Sequence, residues 1–201
     1  MRKSKPLCAR AFVPDKSREF ETILTKNKTR EKPKMKNTKA KNSLRYICEA
    51  SAIAALYVVI TIAIGPLGNA AIQCRIPEAF CVLAIFTPAA IPGMTIGCLI
   101  SNIATGCLWQ DVLFGTLATL IGVIGARMLR RIWWLTPLPT VVANTLIIPF
   151  VLAYAYHAEE GIPFMMLTVG IGEVISAYVL GIALYFALRK NARYLFKNTQ
   201  Q

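Results

Sequence analysis

Several ionisable and amide side chains lie within or beside the apolar stretches of this sequence, and they are the residues best placed to do chemistry. Such groups are costly in a membrane, where they usually face a bundle interior or a water-filled cavity and mark a substrate or ion path. The residues concerned are Gln73, Arg75, Glu78, Asn102, Asp111, Asn144 and Glu173. Carboxylates accept hydrogen bonds and amides both accept and donate them. The set therefore indicates a binding site for a polar ligand.

The same side chains also have a purely structural interpretation. Amides such as Asn102 and Asn144 can join membrane helices through interhelical hydrogen bonds. Arg75 and Glu78 are three residues apart and could form a local ion pair on one helical face. Glu173 is harder to explain in this way, because its apolar stretch contains no basic residue. It needs a partner from another helix, a proton or a ligand.

The elements that must position these residues are membrane helices. The chain has 201 residues, of which 55% are apolar and 16% charged, and its mean hydropathy of +0.50 is too high for a soluble globular domain of this size. Apolar stretches cover residues 47–64, 76–91, 94–108, 112–129, 138–156 and 164–188. We predict an all-α integral membrane protein built as a six-transmembrane-helix bundle. The alternative is five spans, with 76–108 as one broken unit.

The distribution of Lys and Arg favours six spans. The basic clusters are the N-terminal leader, Arg127/Arg130/Arg131 and Arg189/Lys190/Arg193/Lys197. Six crossings put all of them on the cytoplasmic side, as the positive-inside rule requires. We therefore predict a multi-pass protein of the plasma membrane with both termini cytoplasmic. The polar residues between 73 and 111 then lie in the outer half and predict a pocket open to the outside, with Asn144 and Glu173 as its deeper wall.

The N-terminal leader differs in character from the rest of the chain. Residues 1–45 contain 15 Lys and Arg against 4 Asp and Glu, with too few apolar residues to offset the entropy of folding. We predict a disordered basic cytoplasmic tail over 1–45 and a membrane substrate-binding domain over 46–201. The tail is best explained by attraction to the anionic inner leaflet of the lipid bilayer. Phosphate contact with nucleic acid is the weaker alternative, and no specific nucleic-acid partner is predicted.

Small residues spaced four apart form a second pattern. The pairs are Ala50/Ala54, Ser51/Ala55 and Gly93/Gly97. Such faces let another helix approach closely. They serve either packing within the bundle or the docking of a different subunit.

Several chemistries are not predicted. The sequence has no Gly-x-x-x-x-Gly-Lys-Ser/Thr loop, so the chain is not expected to hydrolyse ATP itself. One histidine and six cysteines without a Cys-x-x-Cys pair do not predict a metal site. His157 is the sole candidate base for a nucleophilic triad and lies in an acidic loop. We therefore predict no catalytic residues, no enzyme activity and no cofactor.

Residues 47–190 resemble the queuosine-precursor transporter family, the QueT-type substrate-binding (S) components of energy-coupling factor transporters. The segments that carry the resemblance are 55–59 (ALYVV), 65–79 (ending IQCRIPEA), 91–102 (IPGMTIGCLISN), 111–120 (DVLFGTLATL), 137–144 and 172–181. The Gln-x-Arg-x-x-Glu-Ala and Asp-Val-x-x-Gly-x-Leu-Ala-Thr blocks are the most specific. Pro77 departs from the family, which has Ser at this point.

The resemblance implies an S component that captures its substrate outside the cell and docks on a transmembrane coupling subunit driven by two cytoplasmic ATPase subunits. It implies that Ala50 and Ala54 form the docking surface. The implied substrates are 7-cyano- or 7-aminomethyl-7-deazaguanine. A guanine-like edge presents N–H donors that suit a carboxylate such as Glu78 or Glu173. Amides would complete the edge, and Trp109 or Phe80 would stack on the ring.

Two other functions stay open at this point. One is an S component for a different vitamin-like substrate, such as folate, thiamine or biotin. The other is a membrane scaffold that transports nothing, in which the polar residues only join helices. Binding of a deazaguanine, or of a vitamin, distinguishes the three hypotheses.

The predicted topology can be tested by cysteine accessibility. A cysteine introduced at Glu160 should react with a membrane-impermeant thiol reagent added outside, whereas one at Arg131 should not, because the basic clusters are retained in the cytoplasm. The measurement is labelling of intact cells against permeabilised ones. The reverse pattern, or an odd number of crossings, would contradict the topology.

Overall fold

Helices make up the architecture of this protein. The computed structural model describes residues 34–68, 75–157 and 161–191, and within these ranges it contains no β-strand. The leader up to residue 33 and Gln73 lie outside the described residues. The all-helical prediction is confirmed for the part of the chain that the structure describes.

The helices follow one another with short connections. They are α1 (Lys34–Gly68), a 3₁₀ helix (Ile76–Val82), α2 (Leu83–Phe86), α3 (Ala90–Ala104), α4 (Trp109–Met128), α5 (Leu138–Ala155), α6 (Ile162–Glu173), a π-helical segment (Val174–Leu180) and α7 (Gly181–Arg189). The last three are continuous. Residues from Asn42 onward form one unit, to which the packing described below belongs.

The first helix begins earlier than expected. The described helix α1 starts at Lys34, within the segment that we predicted to be disordered through residue 45, and the disordered tail stays a prediction. Extending an existing helix adds one hydrogen bond for each residue fixed, which avoids the cost of a new nucleus. Lys, Met, Ala, Leu and Arg, which are frequent in this segment, are also strong helix formers.

The number of membrane crossings is not settled by helix length. Four helical segments are long and apolar enough to cross a membrane: Asn42–Ile64, Trp109–Met128, Leu138–Ala155 and Ile162–Arg189. Two apolar segments, Ile76–Phe86 and Ala90–Ala104, are shorter. A helix of 15 residues reaches only about 22 Å, less than the roughly 30 Å of a hydrocarbon core. The six-span bundle therefore stays a prediction.

The break between the two shorter segments lies at Thr87–Ala89, before the boundary expected from the sequence. Thr87 is extended, with φ −140° and ψ 137°, because the ring of Pro88 disfavours helical geometry in the preceding residue. Pro92, which follows the end of the predicted stretch 76–91, lies in the first turn of α3. Its missing N–H costs nothing there.

Side chains from two other helices hold this break. Glu49 of α1 accepts a hydrogen bond from the Thr87 hydroxyl at 2.8 Å and another from Arg45 Nε at 2.9 Å. Arg127, near the end of α4, donates to the carbonyl oxygens of Ala84 and Ile85 at 2.8 and 3.4 Å. These contacts satisfy polar groups that the interrupted helix leaves without intrahelical partners.

Glycines allow α1 and α3 to cross closely. A Cβ placed on Gly97 would lie 2.7 Å from Tyr57 Cβ, and one on Gly93 would lie 2.9 Å from the Ala50 carbonyl oxygen. Ala54 is buried, and its Cα lies 3.2 Å from the Gly97 position. The face that carries Ala50 and Ala54 thus packs against α3 of the same chain. This contact supports packing within the chain, and the assignment of Ala50 and Ala54 as a docking surface stays a prediction.

Adding bulk to this crossing should destabilise the fold. Gly97→Val should lower the free energy of unfolding by about 1–3 kcal/mol, since its side chain would overlap Tyr57. Chemical or thermal unfolding of the purified protein measures the effect. Ala104→Val, at an exposed position on the same helix, is the control. Equal loss of stability in the two variants would contradict the close crossing.

Candidate functional site

The carboxyl group of Glu78 lies at the meeting point of three helices. Glu78 is in the 3₁₀ helix and is 0% exposed. Its Oε1 accepts hydrogen bonds from the Tyr57 hydroxyl of α1 at 2.9 Å and from the Thr119 hydroxyl of α4 at 2.7 Å. Its Oε2 has no hydrogen-bond partner. One oxygen therefore holds the carboxyl group in place, and the other is available to a ligand.

Arg75 precedes the same 3₁₀ helix and pairs with Asp111 in the first turn of α4. Arg75 Nη2 lies 3.8 Å from Asp111 Oδ1, and both side chains are largely buried. Arg75 Nη1 is buried without a hydrogen-bond partner. Arg75 also attracts Glu78 electrostatically, but its ion pair within the described residues is with Asp111. The local Arg75–Glu78 pair considered from the sequence is therefore replaced by a contact between two elements.

Gly115 provides the space around which three predicted site residues meet. A Cβ placed on it would lie 3.2 Å from Asn102 Nδ2, 3.2 Å from Asp111 Oδ1 and 3.3 Å from Arg75 Nη2. Asn102 is 5% exposed, and its Nδ2 lies 3.6 Å from the Cys98 sulfur. The structure thus brings Arg75, Asn102 and Asp111 together from three separate elements.

A second group of buried polar side chains comes from α5 and α6. Thr140, Asn144 and Glu173 are each 0% exposed. The Thr140 hydroxyl, both amide atoms of Asn144 and both carboxyl oxygens of Glu173 lack hydrogen bonds of normal geometry. Asn144 nevertheless lies close enough to Glu173 to interact with its carboxyl group. Glu173 also interacts electrostatically with Glu78 and Arg75, so the two groups form one cluster.

The unpaired atoms of this cluster are chemically informative. A buried polar group without a partner costs about 1–3 kcal/mol, and native proteins contain few of them. Here carboxylate acceptors, an amide and a guanidinium donor are all unpaired within one region. Such an arrangement suits a polar ligand that presents both donors and acceptors. Among the described residues, no group of three His, Cys, Asp or Glu could hold a metal ion.

Of the other predicted residues, one is exposed and one lies outside the described residues. Trp109 begins α4 and is 69% exposed, so the structure does not place its ring in the buried site. Gln73 is outside the described residues. Phe80, the other candidate for stacking, is half-buried and packs against the hydrophobic core.

Four residues of the cluster were not identified from the sequence: Tyr57, Gly115, Thr119 and Thr140. Their types are common in apolar helices, and a single sequence does not reveal which side of a helix faces the bundle. The stripe Gly115, Ala118, Gly122 was the available signal, since small residues mark a closely packed face. A Cβ on Gly122 would meet Thr140 at 2.8 Å.

A separate apolar groove lies between α5 and the α6 region. It has a volume of about 500 Å³ and contains none of the cluster residues named above. Its lining is Val141, Val142, Thr145, Leu146, Met166, Leu167, Gly170, Ile171, Val174 and Ile175. The few polar atoms in this lining give a polar ligand little to bind, so the cluster around Glu78 and Glu173 is the better candidate site.

Comparison with known proteins gives a consistent family assignment. The sequence model of a family described as QueT transporter matches residues 47–190. A protein of Lactococcus lactis subsp. cremoris (strain MG1363), named queuosine precursor transporter QueT, is 39% identical over 71 residues. That match covers 34% of this chain and 41% of the relative. No solved structure matches the chain.

The hydrogen bonds that hold Glu78 can be tested by removing one hydroxyl. Thr119→Val should lower the free energy of unfolding by about 1–3 kcal/mol, because a buried carboxylate would lose a donor. The matched control is Thr116→Val on the same helix, since the buried Thr116 hydroxyl makes no hydrogen bond. Unfolding of the purified variants gives the comparison. Equal effects at the two positions would show that the Thr119 contact does not matter.

Proposed function

Because the chain belongs to the QueT transporter family, we propose that it carries a queuosine precursor across the cell membrane. The observation that carries the proposal is the buried cluster in which Glu78, Asn144 and Glu173 have unpaired polar atoms. A transporter needs such a desolvated polar site to select a small polar molecule in an apolar environment. The family consists of transporters and not of enzymes.

The proposed substrate class is 7-deazaguanine bearing a 7-cyano or 7-aminomethyl group. The adjacent ring N–H and exocyclic NH₂ of a guanine-like base are donors, which suit the free Oε2 of Glu78 or the carboxyl group of Glu173. The carbonyl oxygen of the base is an acceptor, which suits Arg75 Nη1 or the Asn144 amide. The unpaired atoms of the site and the edge of the ligand are thus complementary in type.

The scaffold hypothesis explains only part of the cluster. The contacts of Glu78 with Tyr57 and Thr119 do join helices, as polar groups in membrane bundles often do. Asn144 and Glu173 make no comparable interhelical hydrogen bonds among the described residues. Asn144 of α5 does interact with Glu173 of α6, but the unpaired atoms of this half of the cluster support ligand binding more than a role in joining helices.

We further propose that the chain is the substrate-capture component of an energy-coupling factor transporter. Support comes from the absence of a phosphate-binding loop in the sequence, which leaves ATP hydrolysis to separate subunits. In this proposal the substrate enters from outside, both termini are cytoplasmic, and a coupling subunit with two ATPase subunits drives release inside.

The docking surface for the coupling subunit would lie on the exposed side of α1. Ala50 and Ala54 face α3, as described above, whereas Ser51 and Ala55 are exposed. These two small residues are also spaced four apart, so they would let a helix of the coupling subunit approach α1 closely. Exposed Leu56 and Val59 extend this face along the same helix.

Ligand binding by the purified protein tests the proposed substrate. The deazaguanines should raise the midpoint of thermal unfolding, because a ligand that binds only the folded state stabilises it by about 2.7 kcal/mol at one hundred times its Kd. Guanine, folate, thiamine and biotin serve as comparison ligands. Stabilisation by a vitamin alone would favour a different S component, and stabilisation by none would favour the scaffold.

A variant and an uptake assay complete this test. Glu78→Gln should weaken deazaguanine binding at least about tenfold, while Glu49→Gln, which alters a carboxyl group outside the cluster, should leave it unchanged.

Cells with this chain alone should bind the ligand without accumulating it, and accumulation should require an energised ATPase module. Accumulation by the chain alone would contradict the capture role.

A further inference from the structure

The buried cluster contains more acidic than basic groups. Glu78, Asp111 and Glu173 share the single guanidinium of Arg75 among the described residues of the cluster. Arg75 is already paired with Asp111 at 3.8 Å. Glu78 is held by hydroxyl groups, which are neutral. The described part of the site therefore has no second cation to balance Glu173.

Glu78 and Glu173 differ in how many carboxyl oxygens are free to accept hydrogen bonds from a ligand. Glu78 offers one free oxygen in a fixed orientation, which suits the flat edge of a base. Glu173 has both oxygens free. Asn144 interacts with it, and Thr140 lies four residues before Asn144 on the same face of α5. Thr140, Glu173 and Glu78 all interact with the Cys81 thiol, so this second group adjoins Glu78.

A protonated primary amine is complementary to this second group. An ammonium ion has three N–H donors and no acceptor. Three groups with unpaired acceptor oxygens could receive them: the Glu173 carboxyl, the Asn144 amide and the Thr140 hydroxyl. Hydrogen bonds between ionised partners are about twice as strong as neutral ones. A nitrile, in contrast, is neutral and only accepts hydrogen bonds, so it would meet two carboxylate oxygens with no donor of its own.

We propose that Glu173, with Asn144 and Thr140, binds a cationic amine on the ligand, and that the protein selects an aminomethyl-bearing base over neutral bases of similar size. This inference rests on the proposed function and assigns separate roles to the two glutamates. Glu78 binds the N–H edge of the base, and Glu173 determines specificity for the substituent.

Isothermal titration of the purified full chain with three ligands tests the inference. The ligands are 7-aminomethyl-, 7-hydroxymethyl- and 7-cyano-7-deazaguanine. The hydroxymethyl compound is a neutral analogue of nearly the same size as the amine. We expect the amine to bind at least tenfold more tightly than either neutral ligand. Equal affinities in the unaltered protein would overturn the inference without any variant being needed.

The variant Glu173→Gln sharpens the assignment. It should weaken binding of the amine at least tenfold and change the affinity for the neutral ligands less than threefold, because only the ionic contact is lost. Glu49→Gln removes the same charge outside the cluster and should preserve the ratio of affinities. If Glu173→Gln weakens all three ligands equally, Glu173 binds the base itself and the inference fails. If no deazaguanine binds the unaltered protein, the proposed function fails as well.

Discussion

A carboxyl group buried in an apolar bundle must find donors, and Glu78 finds them on two other helices. Removing a carboxylate from water is expensive unless hydrogen bonds replace the lost hydration. The hydroxyl groups of Tyr57 and Thr119 provide that replacement and join α1 and α4 to the 3₁₀ helix. The positions of Arg75 and Asp111 follow, because the 3₁₀ helix that carries Glu78 also directs the preceding Arg75 toward the start of α4.

Small residues let the helices of the bundle approach closely enough for the buried polar groups to contact one another. Gly93 and Gly97 bring α1 against α3, and Gly115 leaves room where three polar side chains meet. Close approach of the backbones shortens the distance that a hydroxyl or amide must reach. The polar cluster and the close crossings are thus two aspects of one packing arrangement.

Residue type identified many members of the buried polar cluster, but not the hydroxyl groups and glycine that complete it. Charged and amide residues are rare in membrane helices, so Arg75, Glu78, Asn102, Asp111 and Glu173 stood out in the sequence without any structure. Tyr and Thr are ordinary in apolar helices, and their significance depends on which side of the helix faces the bundle. That rotation is set by packing among several helices, which a single sequence does not specify.

The fold shows the same division between local and tertiary information. Hydropathy located the apolar part of each helical segment that the structure describes, because apolar length is a local property. Hydropathy placed the break after residue 91, in a region that contains several prolines. The packed structure shows that Pro88 interrupts the helix, whereas Pro92 lies in the first turn of α3. Trp109 was predicted to stack on a ligand from its ring chemistry, but its position at the start of α4 leaves it exposed.

The contacts at the helix break bear on the order in which the chain enters the membrane during synthesis. The segments Ile76–Phe86 and Ala90–Ala104 are each shorter than the roughly 20 residues of an autonomous span. The carbonyl oxygen of Ala84 receives its donor from Arg127, which is synthesised 43 residues later, whereas Glu49 is already present when Thr87 emerges. The contact between Ala84 and Arg127 therefore forms only after the end of α4 has been made. The final arrangement of the short pair depends on side chains from both α1 and α4, so neither short segment attains it alone.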